Sequence, residues 1–301
     1  MSFGASRPRL LLVGGGGGLV GRAVLKEFRE TFAIRSLHRH AIPTESGTLI
    51  EWIPGDVGDF PDWPIALRDV DVVLNVAWYR SGSRRRFERL YEGLSRLLEA
   101  ARRSSIRTFL QVSVPEAPSG LELRLPYLTF KRRFDRALAE SGLSYSIVRP
   151  TLLFGRNDRL LSVMLRMMHR YHRFPMFGDG EFHLSPVSST DLASVLSMGA
   201  RTPFNGTLDM GGPVRYRYRD LTDLMFQVLG LPPRYIRLKP RASVATARML
   251  VALGSKVIYA YEVKWLLSDR LGLPPYSGLD RPMERCEPYL RDEAERLRAG
   301  G

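Results

Sequence analysis

Leu10-Leu11-Leu12-Val13-Gly14-Gly15-Gly16-Gly17-Gly18-Leu19-Val20-Gly21-Arg22-Ala23-Val24-Leu25 is the stretch that decides the fold. Arg9 to Val13 reads as a buried strand, and from Leu19 to Phe28 the apolar spacing turns helical, so a strand, a glycine turn and a helix follow one another. Gly15, Gly18 and Gly21 recur at three-residue spacing across the turn. A tight bend, close backbone approach to a pyrophosphate and close helix-to-strand packing each call for a residue without a side chain. The helix N-terminus then faces the phosphates with unpaired N–H groups. Gly17, Leu19 and Val20 belong to the same candidate phosphate-binding turn. Five consecutive glycines alone could also form a flexible loop; the strand before them and the helix after them favour the binding reading.

Outward from this unit the pattern repeats. Strands are expected at Ala33 to Leu37, Leu49 to Ile53, Val70 to Val76, Thr108 to Ser113 and Tyr145 to Arg149, with helices at about Arg85 to Arg103 and Tyr127 to Ser141. That alternation predicts an α/β fold with a doubly wound parallel sheet. Beyond Pro150 the alternation loosens into helices at 160–171, 190–198 and 218–229, and a long helical stretch at 242–269 with a break at Gly254. The expected division is residues 7–155 as the dinucleotide-binding domain and 156–301 as a smaller, mostly helical substrate domain, with part of 181–212 returning to the first.

The chain has 301 residues, of which 44% are hydrophobic and 25% charged, ordinary values for a folded protein and not those of a disordered one. The single cysteine, Cys286, has no partner for a disulfide or a thiolate metal site. A net charge of +14 favours anionic partners without choosing among them. Neither a secretory leader nor a long uncharged apolar run is visible, so a cytoplasmic location is expected.

Dinucleotide sites that prefer NAD place an acid at the end of the second strand. Here Ile34-Arg35-Ser36-Leu37-His38-Arg39 offers cations instead. Arg39, supported by Arg35 or His38, is the candidate for a 2′-phosphate, because its planar donors match phosphate oxygens in pairs. A solvated basic loop is the alternative.

Val13 to Gly21, Ile34 to Arg39, Gly55-Asp56-Val57, Asn75-Val76-Ala77, Phe109 to Ser113, Tyr127-Leu128-Thr129-Phe130-Lys131 and Val148-Arg149-Pro150-Thr151 stand in the order seen in atypical and extended short-chain dehydrogenase/reductases, and the chain resembles that family. Phe177-Gly178-Asp179-Gly180, Pro186-Val187 ahead of Asp191-Leu192-Ala193, and Gly211-Gly212-Pro213 with Tyr218-Arg219-Asp220-Leu221 look most like the branch containing the NADPH-binding accessory subunit of respiratory complex I. The resemblance implies a Rossmann domain holding NADP(H), with NAD(H) second. It implies Asp56 and Val57 beside the adenine, Ala77 along the dinucleotide, and Pro150 to Leu153 bordering the nicotinamide. It further implies Tyr127 as proton donor and acceptor, Lys131 as the cation that favours the phenolate and holds the nicotinamide ribose, and Ser113 as the third catalytic group. One departure stands out: Val114 and Pro115 follow Ser113 where active sugar-nucleotide members usually have further serines.

The implied function is an oxidoreductase or epimerase-like enzyme on a small hydroxyl or carbonyl substrate; the alternative is a non-catalytic NADPH-binding redox sensor or a structural subunit of a larger, respiratory-type assembly. His169 and His172 lie three apart on a helix without a third ligand, so no metal is expected. Arg84-Arg85-Arg86 and Arg102-Arg103 read as a solvated helix face, and nucleic acid is not the expected partner. Arg241, Arg248, Ser255, Glu262 and Asp269 recur every seven residues, a polar stripe on a broad apolar helix. That stripe fits packing on the domain first, and a membrane surface or partner protein second.

Overall fold

The computed structural model describes residues 7–14, 16–39, 50–79, 81, 83–156, 158, 160–252 and 258–299. The chain divides into two compact units, one made of residues 1–114, 126–149 and 192–208, the other of 115–125, 150–191 and 209–301.

The first unit opens with β1 (Arg9–Val13), α1 (Leu19–Phe28), β2 (Ala33–His38), β3 (Ile50–Pro54), α2 (Trp63–Ala66) and β4 (Val72–Asn75). It continues through α3 (Arg84–Arg102) and β5 (Thr108–Val112). After α4 (Ser119–Glu122), which lies in the second unit, come α5 (Pro126–Ala139) and β6 (Tyr145–Pro150). The strands β1 to β6 pair in parallel in the order β6-β5-β4-β1-β2-β3. Leu10 to Val13, Val72 to Leu74 and Phe109 to Leu110 are fully buried, as strands covered on both faces must be. On α3 the buried residues Phe87, Leu90, Leu94, Leu97 and Ala101 recur at helical spacing and form one face against the sheet. The opposite face carries the arginines: Arg84 pairs with Glu88 at 2.8 Å, and Arg102 and Arg103 both reach Glu99.

The remaining elements are β7 (Leu153–Phe154), α6 (Leu161–Tyr171), β8 (Phe174–Phe177), β9 (His183–Leu184), β10 (Val187–Ser188), α7 (Ser189–Arg201) and β11 (Gly206–Met210). They are followed by β12 (Tyr216–Arg217), α8 (Tyr218–Val228), β13 (Tyr235–Leu238), α9 (Pro240–Ala252), α10 (Ala260–Leu266) and α11 (Cys286–Ala299). Most of α7 belongs to the first unit, and β11 forms the seventh strand of the large sheet, next to β6. Three short strand pairs lie among the helices of the second unit: β7 with β10, β9 with β12, and β8 with β13. Its own core gathers Met164, Leu165, Phe174, Tyr218, Phe226 and Leu290. Buried Asp191 ties this unit together by accepting hydrogen bonds from Arg281 at 2.7 Å and from the Glu284 backbone at 2.8 Å.

The helical stretch expected over 242–269, with a break at Gly254, is interrupted as two separate helices, and the second ends at Leu266. Among the described residues α9 ends at Ala252 and α10 begins at Ala260; Gly254 and Ser255 lie outside the described residues. Tyr259 and Glu262 close a capping box at the start of α10, the Tyr259 N–H donating to Glu262 Oε2 at 3.0 Å. Asp269 stands past the end of α10 with left-handed backbone and accepts the His183 N–H at 2.6 Å. Glu262 and Asp269 therefore serve local backbone groups rather than one continuous polar stripe.

Candidate active site

The large sheet reverses its strand order between β1 and β4, and in open α/β sheets the crevice beyond the strand ends at such a reversal receives the ligand. Val13 pairs with both Leu37 and Asn75, so β1, β2 and β4 end together. Gly14 follows β1 with φ of +74°, and a Cβ there would come within 2.4 Å of the Ala77 Cβ. Only glycine lets the chain leave β1 this closely beside the end of β4. Asn75 shapes that end: its side chain donates to Gln111 at 2.8 Å and accepts the Ala77 N–H at 3.0 Å, all buried.

The turn then delivers α1. Gly15 lies outside the described residues; Gly17 is half-buried, Gly18 is the exposed N-cap residue, Leu19 and Val20 begin the helix half-buried, and Gly21 is buried. No side chain caps α1 and its first turn contains no acid. The N-cap glycine thus makes no side-chain bond to the leading N–H groups, and no acid of the first turn opposes the positive end of the helix dipole. Arg22 adds a cation within the first turn, its Nε donating to the Gly17 carbonyl at 3.2 Å. This cradle fits a pyrophosphate.

Around the end of β2 the candidates separate. Arg39 is exposed, with its guanidinium carbon 6.0 Å from the centre of the Tyr79 ring. His38 closes β2 and is half-buried. Arg35 does not support Arg39, contrary to expectation. It is buried within the unit, donates to the carbonyls of Ala66 and Arg68 at 2.8 and 2.9 Å, and pairs with Glu51 at 2.9 Å. These partners hold it along the strand, short of the end of β2 that Arg39 follows. Asp56, after β3, accepts from the Tyr79 hydroxyl and from the Gly58 N–H at 3.0 Å, and both burial and the Asp56 hydrogen bond push the Tyr79 phenol above its usual range. Val57 is buried, and its carbonyl lies 2.0 Å from where a Cβ on Gly93 of α3 would stand, so the segment after β3 is held against α3.

Tyr127 and Lys131 sit one turn apart on α5, as expected from the sequence. Tyr127 is half-buried, its ring edge-on to Trp78 at 5.9 Å and to Phe87 at 6.0 Å. Lys131 is buried; its Nζ donates to the Val112 carbonyl at 2.9 Å and lies 4.7 Å from the centre of the Trp78 ring. Burial lowers its pKa to about 8, and the Asp135 carboxylate only partly opposes that shift. Ser113 is buried and its hydroxyl donates to Asp135 Oδ2 at 2.6 Å. Arg132 donates to the same oxygen at 2.9 Å, and Arg149 Nε stands 3.7 Å from it. Asp135 is the residue that sequence reasoning missed. It continues the Tyr127–Lys131 face by another turn, and that i, i+4, i+8 spacing is the signal that could have found it. Pro150 ends β6, while Leu153 starts β7 in the second unit, paired with Val187.

Lys131 carries a prediction. Its folded pKa lies below the ordinary lysine value of 10.5, so below pH 8 the folded chain bears a buried ammonium that the unfolded chain would hydrate, and this cost fades as pH rises toward 10.5. Lys131→Met is expected to stabilise the cofactor-free protein at pH 7 by on the order of 1–3 kcal/mol, the loss of the bond to Val112 offsetting part of the gain. Denaturant unfolding at pH 7 and at pH 10 checks it: the gain should shrink at the higher pH.

Comparison with known proteins bears on the family and the fold. Over 144 residues, 47% of this chain and 35% of the relative, the sequence is 25% identical to the mitochondrial NADH dehydrogenase [ubiquinone] 1 alpha subcomplex subunit 9 of Arabidopsis thaliana. Over 266 residues, 78% of this chain and 61% of the relative, it is 26% identical to the chloroplastic divinyl chlorophyllide a 8-vinyl-reductase of Cucumis sativus. The chain thus spans from about a third to three fifths of the length of these relatives. The UDP-glucose 4-epimerase of Thermotoga maritima, solved with UDP-glucose, superposes with a TM-score of 0.73 at 17% identity, covering 97% of this chain and 99% of that one. The chain therefore shares the Rossmann-type fold of that epimerase. A family model described as NAD(P)H-binding matches residues 15–196, more than half of the sequence, and the chain belongs to that NAD(P)H-binding family.

Proposed function

We propose that the chain is an NADP(H)-dependent oxidoreductase or epimerase-like enzyme acting on a small hydroxyl or carbonyl compound. The observation that carries the reading is the β1–α1 turn, where glycines open a helix that has neither a side-chain cap nor an acid in its first turn. In this reading Gly15, Gly17, Gly18 and Gly21 with Leu19 and Val20 hold the pyrophosphate. Arg39, flanked by His38, takes the 2′-phosphate; Asp56 and Val57 border the adenine; Ala77 borders the remainder of the dinucleotide. The cofactor supplies or accepts hydride. Tyr127 holds the proton at its hydroxyl oxygen, and Lys131, within one helical turn, favours the phenolate through its positive charge while that charge persists. Asp135 fixes Ser113, so in this structure the serine hydroxyl serves the carboxylate rather than a substrate oxygen.

That arrangement also favours a second reading, a cofactor-binding protein without turnover. Ser113 is engaged by Asp135, and the Trp78 indole lies over the Lys131 ammonium. The Arabidopsis relative is by name a subunit of NADH dehydrogenase, which fits a structural place in a larger assembly at a membrane. In this chain, among the described residues, no helix is long and apolar enough to cross a membrane.

Cofactor preference tests the Arg39 assignment. Arg39→Asp is expected to weaken NADPH binding by about 1.5–3 kcal/mol and to reverse the preference toward NADH, since a charge-assisted contact is lost and a carboxylate replaces it. Fluorescence titration of both cofactors reads it; unchanged NADPH affinity would remove Arg39 from the site.

A further inference from the structure

Arg234, Arg237, Lys239, Arg241 and Arg248 are the charged residues of 230–252, and none in that stretch is acidic, in a chain of 45 cations and 31 acids. All five are exposed. The stretch comprises β13, the turn before it and α9, all within the second unit. The Phe174 N–H donates to the Arg234 carbonyl at 2.9 Å, so Arg173, exposed just before β8, runs beside Arg234 and adds a sixth cation. Elsewhere exposed arginines hold carboxylates: Arg84 pairs with Glu88, Arg103 with Glu99, Arg217 with Asp220 and Arg285 with Glu287. Among the described residues none of the six has such a partner. Acids on the neighbouring elements are engaged locally. α10, which packs on α9, has Glu262, whose Oε2 accepts the Tyr259 N–H, and Lys264 offsets its charge. Asp223 of α8 accepts the Tyr235 hydroxyl at 2.5 Å, and Asp179 beyond β8 accepts the Glu181 N–H at 3.0 Å.

Charge alone would suit any polyanion; the apolar side chains set among the cations choose. On α9, Arg241, Ala242, Ala245, Arg248 and Met249 are exposed and fall within one arc of about 120° by helical spacing, while Ser243 and Ala247 are buried on the other side. Met249 is 57% exposed and Ile236 of β13 is 46% exposed, a cost in water that contact with acyl chains removes. No aromatic residue stands on the α9 arc, so nucleic-acid bases find nothing there to stack on. From the unpaired, one-signed cations and the exposed apolar side chains among them, we infer that α9 and β13 form a docking surface for a lipid bilayer with anionic head groups. The arginines lie at the head groups and Met249 at the acyl boundary. The surface belongs to the second unit and does not depend on the cofactor reading.

The test is co-sedimentation of the full chain with vesicles of phosphatidylcholine alone and with vesicles of equal parts phosphatidylcholine and phosphatidylserine, at physiological ionic strength. Binding to the mixed vesicles only is expected. Each cation near such a surface contributes about fivefold, so Arg241→Gln with Arg248→Gln should weaken binding by about 25-fold at an unchanged melting temperature. Met249→Asp should weaken it several-fold. Arg102→Gln with Arg103→Gln removes the same charge from α3 and should change binding by less than about twofold. Equal loss in the α3 variant would assign the attraction to the net charge of +14 and overturn the surface, as would absence of binding to the mixed vesicles. Unchanged binding by Met249→Asp, or an oligothymidylate bound as tightly as the mixed vesicles and lost in the α9 double variant, would overturn the bilayer as its occupant.

Discussion

Gly18→Asp is expected to weaken NADPH and NADH binding by at least about 100-fold while leaving the cofactor-free chain as stable as before or slightly more so. Gly18 is the N-cap residue of α1, in extended backbone that aspartate adopts readily (φ −84°, ψ 176°). Aspartate there accepts the free N–H groups of the first turn and complements the helix dipole, which contributes about 0.3–1 kcal/mol. The same carboxylate occupies the space and the donors that a pyrophosphate needs, and repels its charge. The two effects have opposite signs, so loss of binding cannot be attributed to misfolding. Calorimetry of the variant with each cofactor, beside its thermal unfolding, checks both; retained affinity would place the phosphates elsewhere.

Much of the first unit is legible because its signals are local. The strand–glycine–helix run at 9–28 needs only period and turn chemistry, and the buried parallel strands are nearly continuous apolar runs. Tyr127 and Lys131 share a face by spacing alone. Side-chain direction at the end of β2 was harder to read: Arg35 and Arg39 look equivalent as cations, yet Arg35 lies within the strand, held by carbonyls at the end of α2 and by Glu51, while Arg39 follows the last residue of β2 and is exposed. Asp135 was missed because its partners, Ser113 just after β5 and Arg149 in β6, meet it only in the folded unit. In the second unit, strands of two to four residues carry too little pattern to be recognised, and the apolar spacing at 242–269 continues across a helix boundary set by the Tyr259–Glu262 cap.

Tyr127→Phe carries the second large effect. The substitution removes the hydroxyl but keeps the ring that packs against Trp78 and Phe87, so the fold and cofactor affinity should be unchanged. If Tyr127 passes the proton, NADPH-dependent turnover falls by about 10²- to 10⁴-fold, the range for a lost general acid or base. Because Lys131 loses its proton at about pH 8, the wild-type rate of a step that draws on its charge should fall above that pH. Oxidation of NADPH across carbonyl compounds and sugar nucleotides, measured for wild type and variant together, reads the effect. A wild type that binds NADPH tightly and turns over none of them would favour the non-catalytic reading.

The most direct test of the β1–α1 turn and Arg39 as an NADP(H) site is calorimetric titration of the wild-type chain with NADPH and with NADH under identical salt. The expected result is one site per chain, with NADPH bound about tenfold or more tightly than NADH, the margin of a single charge-assisted contact. Binding of neither dinucleotide would contradict the site itself, and equal or reversed affinities would contradict the place given to Arg39.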